Sequence, residues 1–248
     1  MSKKEFIFGF HTVTSILEKA PERVLQLFMQ EGRCDNRLQS LIQRAKNQHI
    51  PCQVVSKIQL DKKTENGIHQ GIVIEVRALP VKDEKYLLSL IKGLAKPAFL
   101  LLLDEVQDPH NLGACLRSAD AAGVDAIIIP QNRSVGMTPV VRKIASGAAE
   151  TIPLITVTNL ANTLRKLKAE GIWIYGLDGS ATQTIYATDL KVPIGLVLGA
   201  EGEGLRRLTR ELCDGLLAIP MHGSVASLNV SVAAGVCLFE VVRQRFLV

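Results

Sequence analysis

From residue 98 onward, short continuous apolar runs alternate with stretches whose apolar positions return every three or four residues. The runs Ala98–Leu103, Asp125–Ile129, Ile152–Thr156, Ile172–Gly176, Ile194–Leu198 and Gly215–Ile219 predict six strands. The stretches between them predict helices over Leu112–Ala122, Val140–Ala148, Leu160–Ala169 and Leu205–Cys213. A long helix is predicted over Leu228–Arg245, and Gly123 and Gly171 mark two helix ends. Apolar strands alternating with helices predict an α/β fold with a parallel sheet covered on both faces. Ligands of such sheets sit at the carboxyl ends of the strands. Gly- and Asn-rich segments fall there: Asp104–Arg117, Gly199–Gly204 and Pro220–Asn229.

The first 78 residues read as a separate, smaller α/β unit. Helical spacing covers Thr12–Lys19 and Asn36–Asn47, and strand-like runs cover Val24–Met29, Cys52–Val55 and Gly71–Val76. Pro80, the charged stretch Lys82–Lys85 and Pro97 then predict a linker over 79–97, with an amphipathic run through Ile91 inside it. The expected domains are therefore 1–78 and 98–248. No internal repeat or low-complexity segment interrupts either.

Composition narrows the class. Hydrophobic residues are 47% and charged residues 21%, which suits a globular chain. Apolar runs such as Ala98–Leu103 fall far short of the roughly 20 residues a bilayer span needs. The N-terminal Met-Ser-Lys-Lys leads into no apolar segment with a cleavage site, so the expectation is a cytoplasmic protein without membrane contact. The five cysteines, Cys34, Cys52, Cys115, Cys213 and Cys237, form no CxxC pair, and the five histidines show no HxxxH spacing. The expectation is reduced, mostly buried thiols and no metal. Net charge is +5. The first 78 residues hold 12 basic and 8 acidic residues, the rest 17 and 16, so most of the excess lies in the first unit. That suits contact with phosphates. Its aromatics, Phe6, Phe8, Phe10 and Phe28, do not read as a base-stacking platform.

The candidate chemistry lies in the three segments. In Asp104-Glu-Val-Gln-Asp-Pro-His-Asn-Leu-Gly-Ala-Cys-Leu-Arg117, Asn111 is placed to cap the following helix, Gly113 permits close approach, and Arg117 offers a planar cation to a phosphate or carboxylate. In Leu198-Gly-Ala-Glu-Gly-Glu-Gly-Leu205 the glycines are spaced GxxGxG, not GxGxxG, and Glu201 and Glu203 would repel a pyrophosphate. A cofactor without phosphates and with a positive centre, such as S-adenosylmethionine, suits this loop. In the third segment Ser227 and Asn229 are natural caps for the last helix, whose Ser231, Ala233, Ala234 and Gly235 admit a close neighbour.

These segments, in this order and spacing, resemble the SpoU/TrmH branch of the SPOUT methyltransferases. The resemblance spans 98–248, with Asn111, Gly113 and Arg117, then the glycine–glutamate loop, then Ser227-Leu-Asn229. Gly9-Phe-His11 and His69-Gln-Gly-Ile72 extend it to the small RNA-binding domain of the members that methylate a guanosine of 23S rRNA. It implies a deep trefoil knot at the C-terminal end of the parallel sheet, S-adenosylmethionine as cofactor, a homodimer, and 23S rRNA as partner. Cofactor contacts are expected at Gly199, Gly202, Ile219, Met221, Leu228 and Asn229. Arg117, Asn111, Glu201, Ser227 and Asn229 are the expected catalytic set: Arg117 at the reacting ribose and its neighbouring phosphate, Asn111 orienting Arg117 or the ribose, Glu201 fixing the loop or a substrate group, Ser227 and Asn229 holding the start of the last helix and the ribose. The implied reaction is 2′-O-methylation of a guanosine in the peptidyl-transferase loop of 23S rRNA, and a 2′-hydroxyl excludes DNA. The same chemistry on tRNA, a non-catalytic RNA-binding assembly factor, and a nicotinamide-dependent oxidoreductase are the competing classes. The misplaced glycines and loop carboxylates weigh against the last.

Overall fold

The computed structural model describes residues 4–33, 35–78, 81–200, 202 and 204–246. The chain divides into two compact units, one of residues 1–80 with 139–150 and one of 81–138 with 151–248.

In the first unit, β1 (Lys4–Phe8), α1 (Phe10–Lys19), β2 (Val24–Gln30), α2 (Asn36–Asn47), β3 (Cys52–Val55), α3 (Lys57–Lys63) and β4 (Ile72–Arg77) follow in chain order. The strands form a sheet in the order β1-β4-β2-β3, with only the β2–β3 pair parallel. Its two faces bury different residues because side chains alternate along a strand. Ile72, Ile74 and Val76 join Val13, Ile16, Leu17, Leu38 and Leu41 of the first two helices. Val73 turns the other way, to Phe8, Phe28, Val55 and Leu60. Phe8 and Phe28 are thus core residues, and the Lys63 ammonium lies 4.1 Å from the Phe28 ring. The two N-terminal motifs meet: the Phe10 N–H donates to Gln70 Oε1 at 3.2 Å, with Gly9 at φ 90° and Gly71 at φ 75°. His69 is buried, 3.0 Å from Asp61 and accepting the Gly71 N–H. β1 and α3 were not legible in the sequence. β1 is a short edge strand, and α3 has a single fully buried residue, Leu60.

The first unit also contains a buried charge network. Glu150, 1% exposed at its side chain, pairs with Arg23 at 2.5 Å and with Arg142, and Arg142 reaches Glu5 at 3.1 Å. Removing one member of a buried network leaves charge without compensation. Glu150→Ala is expected to lower unfolding free energy by about 3 kcal/mol, the low end of that cost because Glu5 remains. Urea denaturation checks it.

The second unit begins with α4 (Glu84–Lys92), in the stretch read as a linker. Asp83 caps it, and Leu87 is fully buried in the core of this unit. Then come β5 (Phe99–Leu103), α5 (Pro109–Ala122), β6 (Ala126–Pro130), α6 (Pro139–Ala145, grouped with the first unit), β7 (Leu154–Val157), α7 (Leu160–Ala169), β8 (Trp173–Leu177), β9 (Ile194–Leu198), α8 (Arg207–Leu212), β10 (Gly215–Leu217) and α9 (Val230–Phe246). The sheet is parallel throughout, in the order β10-β8-β9-β5-β6-β7. Phe99–Leu103 is buried at every position because β5 is central, flanked by β9 and β6. The predicted strands and helices are all present with small shifts at their ends. Among the described residues no helix is long and apolar enough to cross a membrane.

Candidate active site

The carboxyl ends of β8, β9 and β10 surround one cavity of about 370 Å³. Leu177, Asp178 and Gly179 line it at the end of β8, Leu198, Gly199, Ala200, Gly202 and Gly204 at the end of β9, and Leu217, Ile219 and Met221 at the end of β10. Ala226, Ser227 and Leu228 close it before α9. Of the expected cofactor contacts, Gly199, Gly202, Ile219, Met221 and Leu228 all line it. Glu201 and Glu203 lie outside the described residues.

Glycine is required in this wall. A Cβ on Gly199 would stand 2.0 Å from the backbone carbon and oxygen of Gly204. The Gly204 N–H donates to the Ala200 carbonyl at 3.0 Å, which folds the turn onto itself. Opposite it, the backbone of Ile219, Met221 and Leu228 makes no hydrogen bond among the described residues. Main-chain donors and acceptors left unpaired beside a cavity are available to a ligand. Walls that are apolar and polar in near-equal parts, with main-chain groups among the polar ones, suit a nucleoside-like molecule.

A second cavity of about 250 Å³ shares Ala200 and Val230 with the first and is lined by Glu105, Gln107, Asp108 and Asn111. Beside it the Asn229 amide donates to Asn111 Oδ1 at 2.9 Å, tying the first motif to the third across 118 residues of chain. Asn229 Oδ1 in turn accepts from the N–H of Ser231 at 2.9 Å and from its hydroxyl at 2.6 Å, capping α9. Asn229 itself lines neither cavity.

Two expectations are corrected. Asn111 does not cap α5: Asp108 does, its carboxylate accepting from the His110 N–H at 2.9 Å, with Pro109 as the first helical residue. Asn111 is instead buried in the first turn, where its Oδ1 accepts from Asn229. Ser227 does not cap the last helix, which starts at Val230 with Asn229 as its cap. Ser227 is exposed on the cavity wall.

Arg117 stands four residues after Gly113 on α5, exposed, forming no ion pair among the described residues and lining neither cavity. Asp178 was missed, although it follows a strand directly, as the other site segments do. Hydrogen bonds from Ser180 hold its carboxyl below the usual carboxylate range, helped by Arg210 at 2.8 Å. Burial pushes the Cys115 and Cys237 thiols up to about 12, which leaves them inert.

Comparison with known proteins decides the family. The SpoU rRNA Methylase family matches residues 98–239, more than half of the chain, and an RNA 2′-O ribose methyltransferase substrate binding family matches residues 6–81.

The chain belongs to the SpoU rRNA methylase family.

It is 55% identical over 245 residues to the 23S rRNA (guanosine-2′-O-)-methyltransferase RlmB of Shewanella oneidensis, covering 99% of each chain. To the RlmB of Escherichia coli K12 it is 53% identical over 241 residues, 97% of this chain and 99% of that one. The SpoU methyltransferase AviRb of Streptomyces viridochromogenes, crystallised with its cofactor AdoMet, superposes with a TM-score of 0.81 at 23% identity, over 99% of this chain and 92% of that one. At that identity the likeness is one of fold. The protein is thus an RNA 2′-O-ribose methyltransferase of SpoU type with its own substrate-binding domain. S-adenosylmethionine is the methyl donor of this family, and the glycine-walled cavity fits it.

The Asn111–Asn229 bridge yields one prediction here. Asn229→Ala removes the cap of α9 and the partner of Asn111 together. Loss of such a cap costs about 1 kcal/mol, and the cavity wall just before α9 loses its anchor. Both cofactor affinity and transfer rate are expected to fall about tenfold, by calorimetric titration and by label transfer.

Proposed function

We propose that this protein methylates the ribose 2′-oxygen of a guanosine in the peptidyl-transferase loop of 23S rRNA. The observation that carries the reading is the junction of the two cavities: the glycine-walled one meets, at Ala200 and Val230, one bordered by Asn111. A donor in the first and a ribose in the second would face each other there. The RlmB relatives, alike over nearly the whole chain, supply the substrate.

Bound S-adenosylmethionine supplies a methyl group already activated by the sulfonium charge. The protein's own task is alignment and stabilisation of the oxygen that loses its proton. Gly199, Gly202, Ile219, Met221 and Leu228 hold the donor, chiefly through main-chain groups. Asn229 and Ser227 support the wall next to the ribose, Asn111 orients the acceptor, and Glu201 steadies the loop. Arg117 stays protonated, so it donates hydrogen bonds to the developing oxyanion and the neighbouring phosphate rather than taking the proton. A phosphate oxygen or water would accept that proton. The basic first domain selects the RNA, and a cytoplasmic setting follows from that substrate.

A homodimer completes the site in this reading, with the chain threaded through a trefoil knot at the cavity. Its support is the position of Arg117, exposed and outside the cavities of its own chain. A second support is α9. Val232, Phe239 and Phe246 recur every seven residues and are 51%, 49% and 70% exposed. That spacing is an apolar stripe on one helix face. Across such an interface Arg117 of one protomer reaches the cofactor of the other.

The test is transfer of labelled methyl groups to unmodified 23S rRNA and to unmodified tRNA, with the label mapped. Label on a guanosine ribose of the 23S loop is the expected result. Label on tRNA overturns the substrate, and no transfer to either, without cofactor binding, favours an assembly factor.

A further inference from the structure

The loop that walls the cofactor cavity begins after Leu198 and ends before Arg206, and one residue of another strand end grips both edges. That residue is Asp104, directly after β5. Its backbone N–H donates to the Leu198 carbonyl at 2.8 Å. Its carboxylate, with the side chain fully buried, receives the Arg206 guanidinium, Nη2 at 2.7 Å and Nε at 2.9 Å. The backbone N–H of Arg206 points at the same carboxylate from 3.4 Å. Arg206 is also the cap residue of α8 and carries no side-chain cap, so its position sets where that helix starts.

Between these two anchors lies a segment with glycines at 199, 202 and 204, the latter two at φ 83° and φ 68°. Glycine-rich backbone has many conformations of similar energy. The Ala200–Gly204 hydrogen bond closes the turn, and the two ends fix where it stands. Both ends are referred to one rigid point on the central strand of the sheet. Neither Asp104 nor Arg206 lines the cavity. The arrangement is charge-compensated: Arg206, 45% exposed, brings its cation in from the surface to a carboxylate that has no other cation within ion-pair distance among the described residues. Glu105 Oε1 lies 3.0 Å from the same guanidinium and steadies it from a second side.

We infer that the Asp104–Arg206 pair is a positioning device that holds the glycine loop where the cofactor requires it. This rests on the reading that the cavity takes S-adenosylmethionine. The pair acts through the loop, so it sets donor affinity and leaves the chemistry and the RNA site alone. A pair that merely held the fold together would lower stability without separating donor KM from kcat.

The test uses the full chain. Binding of S-adenosylhomocysteine to RNA-free protein is measured by calorimetry for wild type, Arg206→Gln, Arg206→Lys and Asp104→Asn. Amide hydrogen exchange across 199–206 is followed in the same proteins. Arg206→Gln is expected to weaken binding about 10- to 100-fold, the loss of a charge-assisted pair of hydrogen bonds. Donor KM should rise in step while RNA KM and kcat at saturating donor stay within about twofold. Arg206→Lys should recover part of the affinity, and exchange of the Gly202 and Gly204 amides should quicken in Arg206→Gln. Wild-type affinity in Arg206→Gln overturns the inference. So does an equal fall in kcat and kcat/KM. Should Asp104→Asn fail to fold, the half-exposed Arg206 variants decide. If the wild type itself binds no S-adenosylhomocysteine, the cofactor reading falls and this inference with it; wild-type binding with unchanged variants removes the inference alone.

Discussion

Arg117→Ala is expected to bind S-adenosylhomocysteine within about twofold of wild type and to transfer methyl groups about 10²- to 10³-fold more slowly, the usual cost of removing one donor to a developing oxyanion. Three observations separate binding from transfer. Arg117 lines neither cavity of its own chain, makes no ion pair among the described residues, and is exposed on α5. Its removal therefore leaves the donor's walls intact and strands no buried charge. Thermal stability should stay within about 0.5 kcal/mol, as for surface substitutions generally. Arg117→Lys keeps the charge but loses the planar fork, and should recover only part of the rate. Calorimetry and single-turnover label transfer read the two quantities separately. Transfer at the wild-type rate in Arg117→Ala would remove the arginine from the mechanism.

Gly199→Ala is expected to have the second large effect, on the opposite quantity. The added carbon would meet Gly204 backbone atoms at 2.0 Å and the Leu205 nitrogen at 2.4 Å. These are main-chain atoms of a turn closed by its own hydrogen bond, so no side chain can rotate out of the way. The loop must move by about an ångström, and displacements of that size in a preorganised site cost on the order of 100-fold. Cofactor affinity should fall by about that factor or more. Gly136→Ala is the control. Nothing lies within 4 Å of the Cβ it would add, and its backbone does not need glycine. It should bind and transfer as wild type does.

The two predictions show which parts of the site were legible as residues and which only as geometry. The rule that ligands sit at the carboxyl ends of strands placed the three segments, and the resemblance put Gly199, Ile219, Met221, Ser227 and Leu228 at the site; these five line one cavity. Asp178 obeys the same rule but lies outside the three segments singled out in the sequence. Asn111 was read as a cap because a helix was expected to begin at Leu112. Pro109, which can only start a helix, moved the beginning back three residues and left Asp108 as the cap. That shift freed the Asn111 amide for Asn229.

Periodicity is a short-range property, and so are capping and turn chemistry. The amino-acid sequence by itself therefore determined the elements: the six apolar strands, the helices between them, the smaller basic unit ahead of them, and the three segments at strand ends. It did not determine the strand order. In the sheet β9 lies beside β5, and β10 lies beyond β8 at the edge. This order brings residues after β8, β9 and β10 around a single cavity, and sets Asp104 between the two ends of the glycine loop. Contacts such as Asn229 with Asn111 and Arg206 with Asp104 join residues 118 and 102 positions apart. No local pattern encodes such a pairing, because it depends on how complementary buried faces pack in three dimensions. The tertiary structure decided it.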